Sequence, residues 1–276
     1  AFTPQTTYSI QAECRVGEHA FKVKLTRCGG NDPGIFTHRE DAERCVKTIQ
    51  QKETFTVAEV AAKQTTRNPP SPHITSLLQQ EAFSRLRFSA QRTMMTAQRL
   101  YEGAQIGTRS IGLITYMRTD SFHINPKTRK ETQGYIIKHF SEPYLAEKAY
   151  KHKKKKGAQL AHEAIRPTSV FREPEHIRNY VSEDELRLYR LIWKRFVASL
   201  MKPAVYENTK ARIVADDIEL TAEGRRIVFD GFLKVFDPEA EEAPLPGLSE
   251  DQAVDIVGLE ILEHTTKPPP RYNDAS

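Results

Sequence analysis

One eight-residue segment of the sequence carries side chains suited to attack on a phosphate group. It reads Ile-Thr-Tyr-Met-Arg-Thr-Asp-Ser and spans residues 114–121. If the chain is extended there, period-two alternation places Tyr116, Arg118 and Asp120 on one face. A tyrosine hydroxyl ionises only near pH ~10, so attack on phosphorus at neutral pH needs a nearby cation or base. Arg118 supplies a cation that grips phosphate bidentately, and the segment therefore predicts a phosphate site with Tyr116 as its nucleophile.

A tyrosine followed two residues later by an arginine is a weak signal alone, because the same triplet occurs as a surface pair on ordinary strands. The whole string is specific, and it resembles the active-site motif of bacterial type IA DNA topoisomerases. In that family the tyrosine becomes linked to the 5′ phosphate of a cleaved strand, and the arginine holds the scissile phosphate. The resemblance implies catalytic roles for Tyr116 and Arg118, and DNA contacts by Arg118, Thr119 and Asp120.

Further stretches agree with the same family in the same order along the chain. They are Pro70 to Gln80, Arg92 to Glu102, Ala161 to Thr168, Leu188 to Ser199, and Phe229 to Phe232. A lone histidine such as His162 is more often a satisfied polar residue, but the resemblance places it near the DNA phosphate, where transient positive charge is useful. Arg166 is as compatible with a structural ion pair as with a DNA contact.

The elements that must position these residues are mostly helical. Helical periodicity follows Ser76, which begins a possible capping box, and restarts at Ser89 to give two helices joined by a tight turn. Asn125-Pro126 opens another helix, and Ser182 caps the longest one. A strand-like run, 111–116, lies between them.

Segments of β character flank this helical block. Alternation from Tyr8 to Leu25 predicts a hairpin, 38–51 a short helix, and 55–61 a strand; β signals return after Pro203. The prediction is an α+β multidomain protein. By resemblance, the helical tyrosine domain has a helix-turn-helix, catabolite-activator-like fold inserted into a β-rich arch domain of the family's toroid.

The predicted domain boundaries follow these changes in pattern. Residues 1–72 are the first part of the β-rich arch domain and 73–202 the helical domain with the catalytic tyrosine. Residues 203–236 are the return part of the arch domain, and 237–276 are the start of a next domain or a linker. Ala1 at the beginning and the proline run near the end indicate an excised fragment.

Cysteines and carboxylates give no sign of a metal centre. Cys14, Cys28 and Cys45 form no C-x-x-C pair and are odd in number, which indicates neither a disulfide framework nor a zinc ribbon. His162-Glu163 is no zinc signature, because the fourth position on is Arg166. The resemblance implies Mg²⁺ bound by a separate Toprim domain, so this fragment is expected to bind no metal, to hold single strands weakly and not to relax supercoils alone. No nucleotide-binding loop is present, consistent with a reaction that needs no ATP.

Charge and hydropathy are compatible with a polyanionic partner. The 41 Lys+Arg against 36 Asp+Glu give a net charge of +5, which is compatible with a polyanion. The run Lys151 to Lys156 would ordinarily be a solvated loop, but beside DNA it adds phosphate attraction. No apolar run is long enough for a membrane span. We expect a monomer that acts on DNA, chiefly single-stranded, in the cytoplasm and associated with the nucleoid.

Three other interpretations fit part of the sequence. A non-catalytic helix-turn-helix module explains the two short helices and the basic charge, but not the phosphate-ready face. A tyrosine recombinase also forms a phosphotyrosine link, but it places arginine and H-x-x-R elements before a late tyrosine, whereas here Tyr116 precedes His162. A structural scaffold explains none of the motifs.

Overall fold

The computed structural model describes residues 2–29, 34–147 and 162–269. The strands are β1 Thr6–Val16, β2 His19–Arg27, β3 Phe55–Arg67, β4 Ala104–Ile106, β5 Arg109–Ile111, β6 Ala204–Ala215, β7 Ile218–Phe229 and β8 Ala253–Thr265. The α-helices are α1 Arg39–Gln50, α2 Thr75–Glu81, α3 Ala90–Glu102, α4 Pro126–Phe140, α5 Pro174–Ile177, α6 Glu183–Ala198 and α7 Leu233–Phe236. The fold is α+β, as predicted. None of the helices in the described ranges is both long and apolar enough to cross a membrane.

The described residues divide into two compact units. The barrel unit takes in residues of 2–65, 205–228 and 241–269, and the tyrosine unit takes in residues of 66–204 and 229–240. Each unit is therefore assembled from separated stretches of chain, and each has its own core.

The barrel unit is a six-stranded closed barrel in the order β1-β2-β7-β6-β3-β8. Its core comes from alternation along the strands: Phe21, Val23 and Leu25 are buried, while the lysines between them, Lys22 and Lys24, are exposed. The β1–β2 pair is antiparallel, which confirms the predicted hairpin. Closure joins the two edges of the sheet, which could otherwise pair with another chain.

The last strand corrects the expected role of residues 237–276. The sequence pattern predicts the start of another domain or a linker there, but β8 pairs with β1 from Thr6/Thr265 to Arg15/Asp255. It also pairs with β3 at Phe55/Val254. Strand β8 thus completes the barrel, and its long-range pairing is information that local sequence patterns do not hold.

The cysteines also differ from the sequence prediction. Cys28, just after β2, and Cys45 on α1 form a disulfide with a Cα–Cα distance of 6.5 Å. Cys14 is free and lies in the barrel core, where burial raises the pKa of its thiol to about 12. Sequence spacing does not reveal the pair, because α1 packs back against the β1–β2 hairpin only after folding.

The tyrosine unit is built around α6. The predicted apolar stripe is buried, with Tyr189, Trp193 and Phe196 at its centre. Trp193 donates its indole N–H to the Val170 carbonyl at 2.8 Å. The N-terminus of α6 has the predicted capping box, in which Ser182 and the third residue of the helix exchange hydrogen bonds.

Two other predicted helix starts are confirmed and one is wrong. The side chains of Ser89 and Asn125 cap α3 and α4. Ser76 does not cap α2, which begins one residue earlier with Ile74 at its N-cap and no side-chain cap. The Thr75 hydroxyl is instead bonded to a distant segment that carries Tyr116, described below.

Candidate active site and nucleic-acid interface

The segment that carries Tyr116 does not form the predicted continuous strand, and its backbone bends at Met117 and Arg118. Strand β5 ends at Ile111, and beyond it Ile114 makes an isolated antiparallel bridge with Pro167. Thr115 holds the segment to its neighbour: its N–H donates to the Arg166 carbonyl at 2.9 Å and its hydroxyl to the Ala164 carbonyl at 2.7 Å. Two stretches that resemble family motifs, 114–121 and 161–168, are therefore joined directly.

The predicted alternation of side chains is present despite the missing strand. Tyr116, Arg118 and Asp120 are exposed, whereas Met117 and Thr119 between them are buried. Tyr116 is 45% exposed, so a large part of its side chain is accessible. The buried residues anchor the segment, and the exposed ones form one accessible face.

The aromatic ring of Tyr116 has one well-defined neighbour. Tyr101, at the C-terminal end of α3, meets it edge to face with 5.4 Å between ring centroids. That geometry is favoured between aromatic rings and restrains the orientation of Tyr116. Tyr101 is itself 41% exposed, so the pair lies at the surface of the tyrosine unit.

Thr75 fixes the backbone on both sides of Arg118. Its hydroxyl donates to the Met117 carbonyl at 2.8 Å, and it accepts a hydrogen bond from the Thr119 N–H at 2.9 Å. The Thr75 N–H donates to the Thr119 carbonyl at 2.9 Å. Arg118 thus extends from a backbone that α2 holds in place, which reduces the entropy lost when its guanidinium binds an anion.

Two open cavities meet at Arg118. The first, of about 430 Å³, is lined by Ile74, Thr75, Ser76, Gln79, Arg118, Thr119, Asp120 and His162. The second, of about 590 Å³, is lined by Gln91, Met94, Met95, Gln98, Arg99, Glu102 and Arg118. The structure thus brings His162, Arg118 and Asp120 to one cavity.

Arg118 differs from several arginines of the tyrosine unit that are held in ion pairs. Arg92, Arg166 and Arg195 are each held by a carboxylate at 2.5–2.7 Å. Within the described part of the chain, Arg118 has no carboxylate in ion-pairing range, although Asp120 lines the same cavity. Its guanidinium is therefore available to an external anion.

The remaining candidate residues have more structural environments. Thr119 is 7% exposed, and its hydroxyl oxygen accepts the Ser121 N–H at 3.0 Å, so little of its side chain is available for DNA. Arg166 is buried, and it donates to Glu163 at 2.5 Å and to the Pro167 carbonyl at 2.9 Å, which identifies it as a structural ion-pair partner. The run Lys151 to Lys156 lies outside the described residues.

The tyrosine unit also contains a buried polar network that the sequence does not predict. His73 Nε2 lies 2.9 Å from Glu81 Oε2, and Arg195 Nη1 lies 2.5 Å from the same oxygen. Burial tends to raise the pKa of Glu81, but the hydrogen bond from His73 and the charge of Arg195 outweigh it and lower that pKa. Burial also lowers the pKa of His73. All three residues occur in stretches with helical or turn signals, and only folding brings them together.

This network is tied to the motif segments. The His73 carbonyl accepts the Ile165 N–H at 2.8 Å, and Arg195 Nε donates to the Ser71 carbonyl at 2.6 Å. The network therefore joins the chain entering α2, the long helix α6 and the segment next to His162. A buried ion pair of this kind is a structural connection, not a substrate contact.

Comparison with known proteins agrees with the motifs. A family model described as DNA topoisomerase matches residues 1–276. Among solved structures, full-length topoisomerase I from Thermotoga maritima is similar, with 34% sequence identity and a TM-score of 0.80. That match covers 99% of this chain and 43% of the Thermotoga chain, so this chain spans less than half of that relative's length. With a family match over its whole length and a relative of this similarity, the chain belongs to the type IA DNA topoisomerase family.

Proposed function

We propose that this chain supplies the nucleophile of a topoisomerase that transiently cuts single-stranded DNA. The Tyr116 hydroxyl oxygen attacks a backbone phosphorus, the bond from phosphorus to the 3′ oxygen breaks, and the phenolic proton is passed to that departing oxygen. The products are a 5′-phosphotyrosyl link and a free 3′ hydroxyl. After another strand has passed through the gap, the 3′ hydroxyl attacks the link and restores both starting groups.

The observation that carries this proposal is the exposed face of Tyr116, Arg118 and Asp120, with a guanidinium two residues from an accessible phenol. The negative charge on the attacked phosphate increases as the new bond forms, and a preorganised cation stabilises it. The diester energy is retained in the phosphotyrosyl link, so no nucleotide is consumed. The result is an isomerase that relaxes negative supercoils without ATP.

His162 and Arg118 serve as the phosphate contacts in this proposal. Both line the 430 Å³ cavity with Asp120, and Arg118 also lines the cavity along α3. A strand whose scissile phosphate is held by Arg118 can extend into both cavities. Glutamine side chains in the second cavity can donate and accept hydrogen bonds to base edges, and the methionines offer apolar contact.

Magnesium is implied by the family resemblance, but the described residues do not fit it by themselves. Asp120 is the one carboxylate among the residues that line the cavity with His162, and no cluster of three or more potential ligands occurs in the described ranges. Mg²⁺ prefers several oxygen ligands in octahedral geometry, and one carboxylate is not such a set. We therefore assign no step of this chain's chemistry to Mg²⁺, and the resemblance places its ligands in a Toprim domain.

The larger architecture belongs to the same proposal. The helical tyrosine unit is proposed to have the catabolite-activator-like helix-turn-helix fold, and the barrel unit to form part of the arch of a toroid. The helical part is proposed to run over residues 73–202, inserted between the first and return parts of the β-rich domain. The protein is proposed to act as a monomer in the cytoplasm.

The test uses a protein that carries this chain together with the Mg²⁺-binding domain that the resemblance implies. Tyr116→Phe should abolish both the covalent 5′-DNA adduct and relaxation of negatively supercoiled plasmid. Tyr101→Phe is the matched control, because Tyr101 is a similarly exposed tyrosine in ring contact with Tyr116. Adduct retained by Tyr116→Phe, or abolished in Tyr101→Phe, would overturn the assignment.

A second measurement separates this function from a non-catalytic helix-turn-helix module. The chain alone should bind a single-stranded oligonucleotide weakly, and a single-stranded competitor should displace it better than a duplex of the same sequence. It should not relax plasmid by itself. Preference for one particular duplex would favour the module instead.

A further inference from the structure

A second cationic cleft lies on α6, and its lining residues are separate from the Tyr116 face. Its volume is about 250 Å³. It is lined by Glu81, Arg85, Leu86, Arg187, Arg190, Leu191, Lys194 and Phe236. We propose that this α6 cleft binds backbone phosphates of DNA at a position other than the scissile phosphate, an inference that rests on DNA being the substrate as proposed above.

The sequence builds a basic stripe on one face of α6. Arg187, Arg190 and Lys194 follow at i, i+3 and i+7, so they lie one above another along the helix. Like charges at this spacing repel, and the arrangement destabilises an isolated helix. Each of the three is only partly exposed, so the stripe forms the wall of a cleft and not a fully solvated face.

The cations of the cleft exceed the carboxylates that face them. Arg85 pairs with Glu81 at 3.0 Å, and Arg190 pairs with Glu175 at 2.6 Å. Glu81 is also engaged by Arg195. Within the described ranges, Arg187 and Lys194 have no carboxylate at ion-pairing distance, so the cleft holds two uncompensated positive charges.

Aromatic rings restrain two of the arginines. Arg85 lies over the Phe236 ring with 4.6 Å to the centroid, and Arg187 lies over the Phe88 ring at 5.3 Å. Arg85 is in a π-helical turn, Ala82–Leu86, and such turns occur frequently at functional sites. Fixed cations with apolar walls and an excess of positive charge suit an anion that arrives from outside. A phosphodiester backbone supplies closely spaced anions without requiring base contacts.

The test measures the salt dependence of oligothymidylate binding by the chain, using fluorescence anisotropy. The variant is Arg187→Gln/Lys194→Gln, because neither cation pairs with a carboxylate in the described ranges. The slope of log affinity against log salt should become shallower by about 0.7 for each phosphate that is no longer neutralised, or about 1.4 for two phosphates. The matched control is Lys130→Gln/Lys138→Gln on α4, which removes the same charge from two exposed positions.

The outcomes are distinct. The proposal is supported if the salt slope becomes shallower in the α6 variant but not in the control, with the unfolding temperature unchanged in both. Equal slopes in wild type and variant overturn it, as does an equal fall in the control. If inorganic phosphate stabilises the wild type against unfolding and not the variant, while the oligonucleotide slope is unchanged, the cleft is a small-anion site and the DNA proposal for it fails. Failure of the wild-type chain to bind oligothymidylate at low salt would instead overturn the proposed function.

Discussion

Two groups of polar and charged residues in the tyrosine unit have opposite environments. Tyr116, Arg118 and Asp120 are exposed, and Arg118 has no carboxylate partner in the described ranges. Glu81 and Arg195 are largely buried and paired to each other. The contrast shows that the residues of the proposed site keep unused charge and hydrogen-bonding capacity. The charges of the buried pair are instead neutralised by each other, and their hydrogen bonds join the surrounding elements.

Breaking the buried pair should give the largest loss of stability. Arg195→Met keeps much of the side chain's length but leaves the Glu81 carboxylate without its closest cation, and loss of one partner of a buried pair costs about 3–5 kcal/mol. We expect the free energy of unfolding of the tyrosine unit to fall toward the lower figure, because Arg85 and His73 still contact Glu81. Urea unfolding followed by Trp193 measures it, since the chain's single tryptophan lies in this unit.

The control for that measurement is Arg118→Met, which removes an exposed arginine from the same unit. It should leave the unfolding free energy within about 0.5 kcal/mol of wild type, the usual range for surface changes. Similar losses in the two variants would mean that the contrast between the buried and exposed groups has no energetic basis.

Replacing the exposed arginine should instead lower the rate of the reaction and leave stability unchanged. Arg118→Gln retains polarity but loses the charge and the bidentate grip, and removal of one preorganised group that stabilises developing negative charge costs roughly 10²–10³ in rate. The rate of 5′-adduct formation should fall by that factor without a change in unfolding. Arg166→Gln is the comparison, because Arg166 forms an ion pair with Glu163. This variant should have a lower free energy of unfolding, while its folded molecules should form the adduct at the wild-type rate. Equal rates in wild type and Arg118→Gln would remove Arg118 from the site.

The exposed group could be predicted from the sequence, whereas the buried group could not. Tyr116, Arg118 and Asp120 lie within one short motif whose alternation survives even though the strand expected there does not form. His73, Glu81 and Arg195 are far apart in the chain, and nothing local distinguishes Glu81 from other glutamates on helices. The same limit explains β8 and the Cys28–Cys45 pair, since both depend on contacts between distant segments.

Thr75 connects the two groups, and its removal should have a smaller effect. Thr75→Val keeps the shape but leaves the Thr119 N–H and the Met117 carbonyl without their side-chain partner, at a cost of about 1–3 kcal/mol. A displaced Arg118 should lower kcat for relaxation about tenfold while KM changes little, because positioning acts on the transition state. Thr75→Ser restores the hydroxyl and should recover most of the activity. A loss of stability with normal kcat would limit Thr75 to a structural role.

The smallest expected effect concerns pH and the buried histidine. Burial lowers the pKa of His73 below its ordinary value of 6.5, and the hydrogen bond to Glu81 opposes this only in part. Below pH 6.5 the unfolded chain therefore takes up a proton at this position that the folded chain does not, so stability is present above pH 6.5 and is lost as pH falls. The loss per proton is at most about 1.4 kcal/mol per pH unit. Glu81 adds a loss of the same sign only at lower pH, because its own pKa is lowered from 4.5.

The urea midpoint reported by Trp193 measures this dependence. It should fall with pH more steeply in wild type than in His73→Gln, because glutamine has no proton to take up when the chain unfolds. Parallel curves would mean that His73 titrates alike in the folded and unfolded states. That result would contradict the protonation states inferred here, in which a neutral His73 donates from Nε2 to an ionised Glu81.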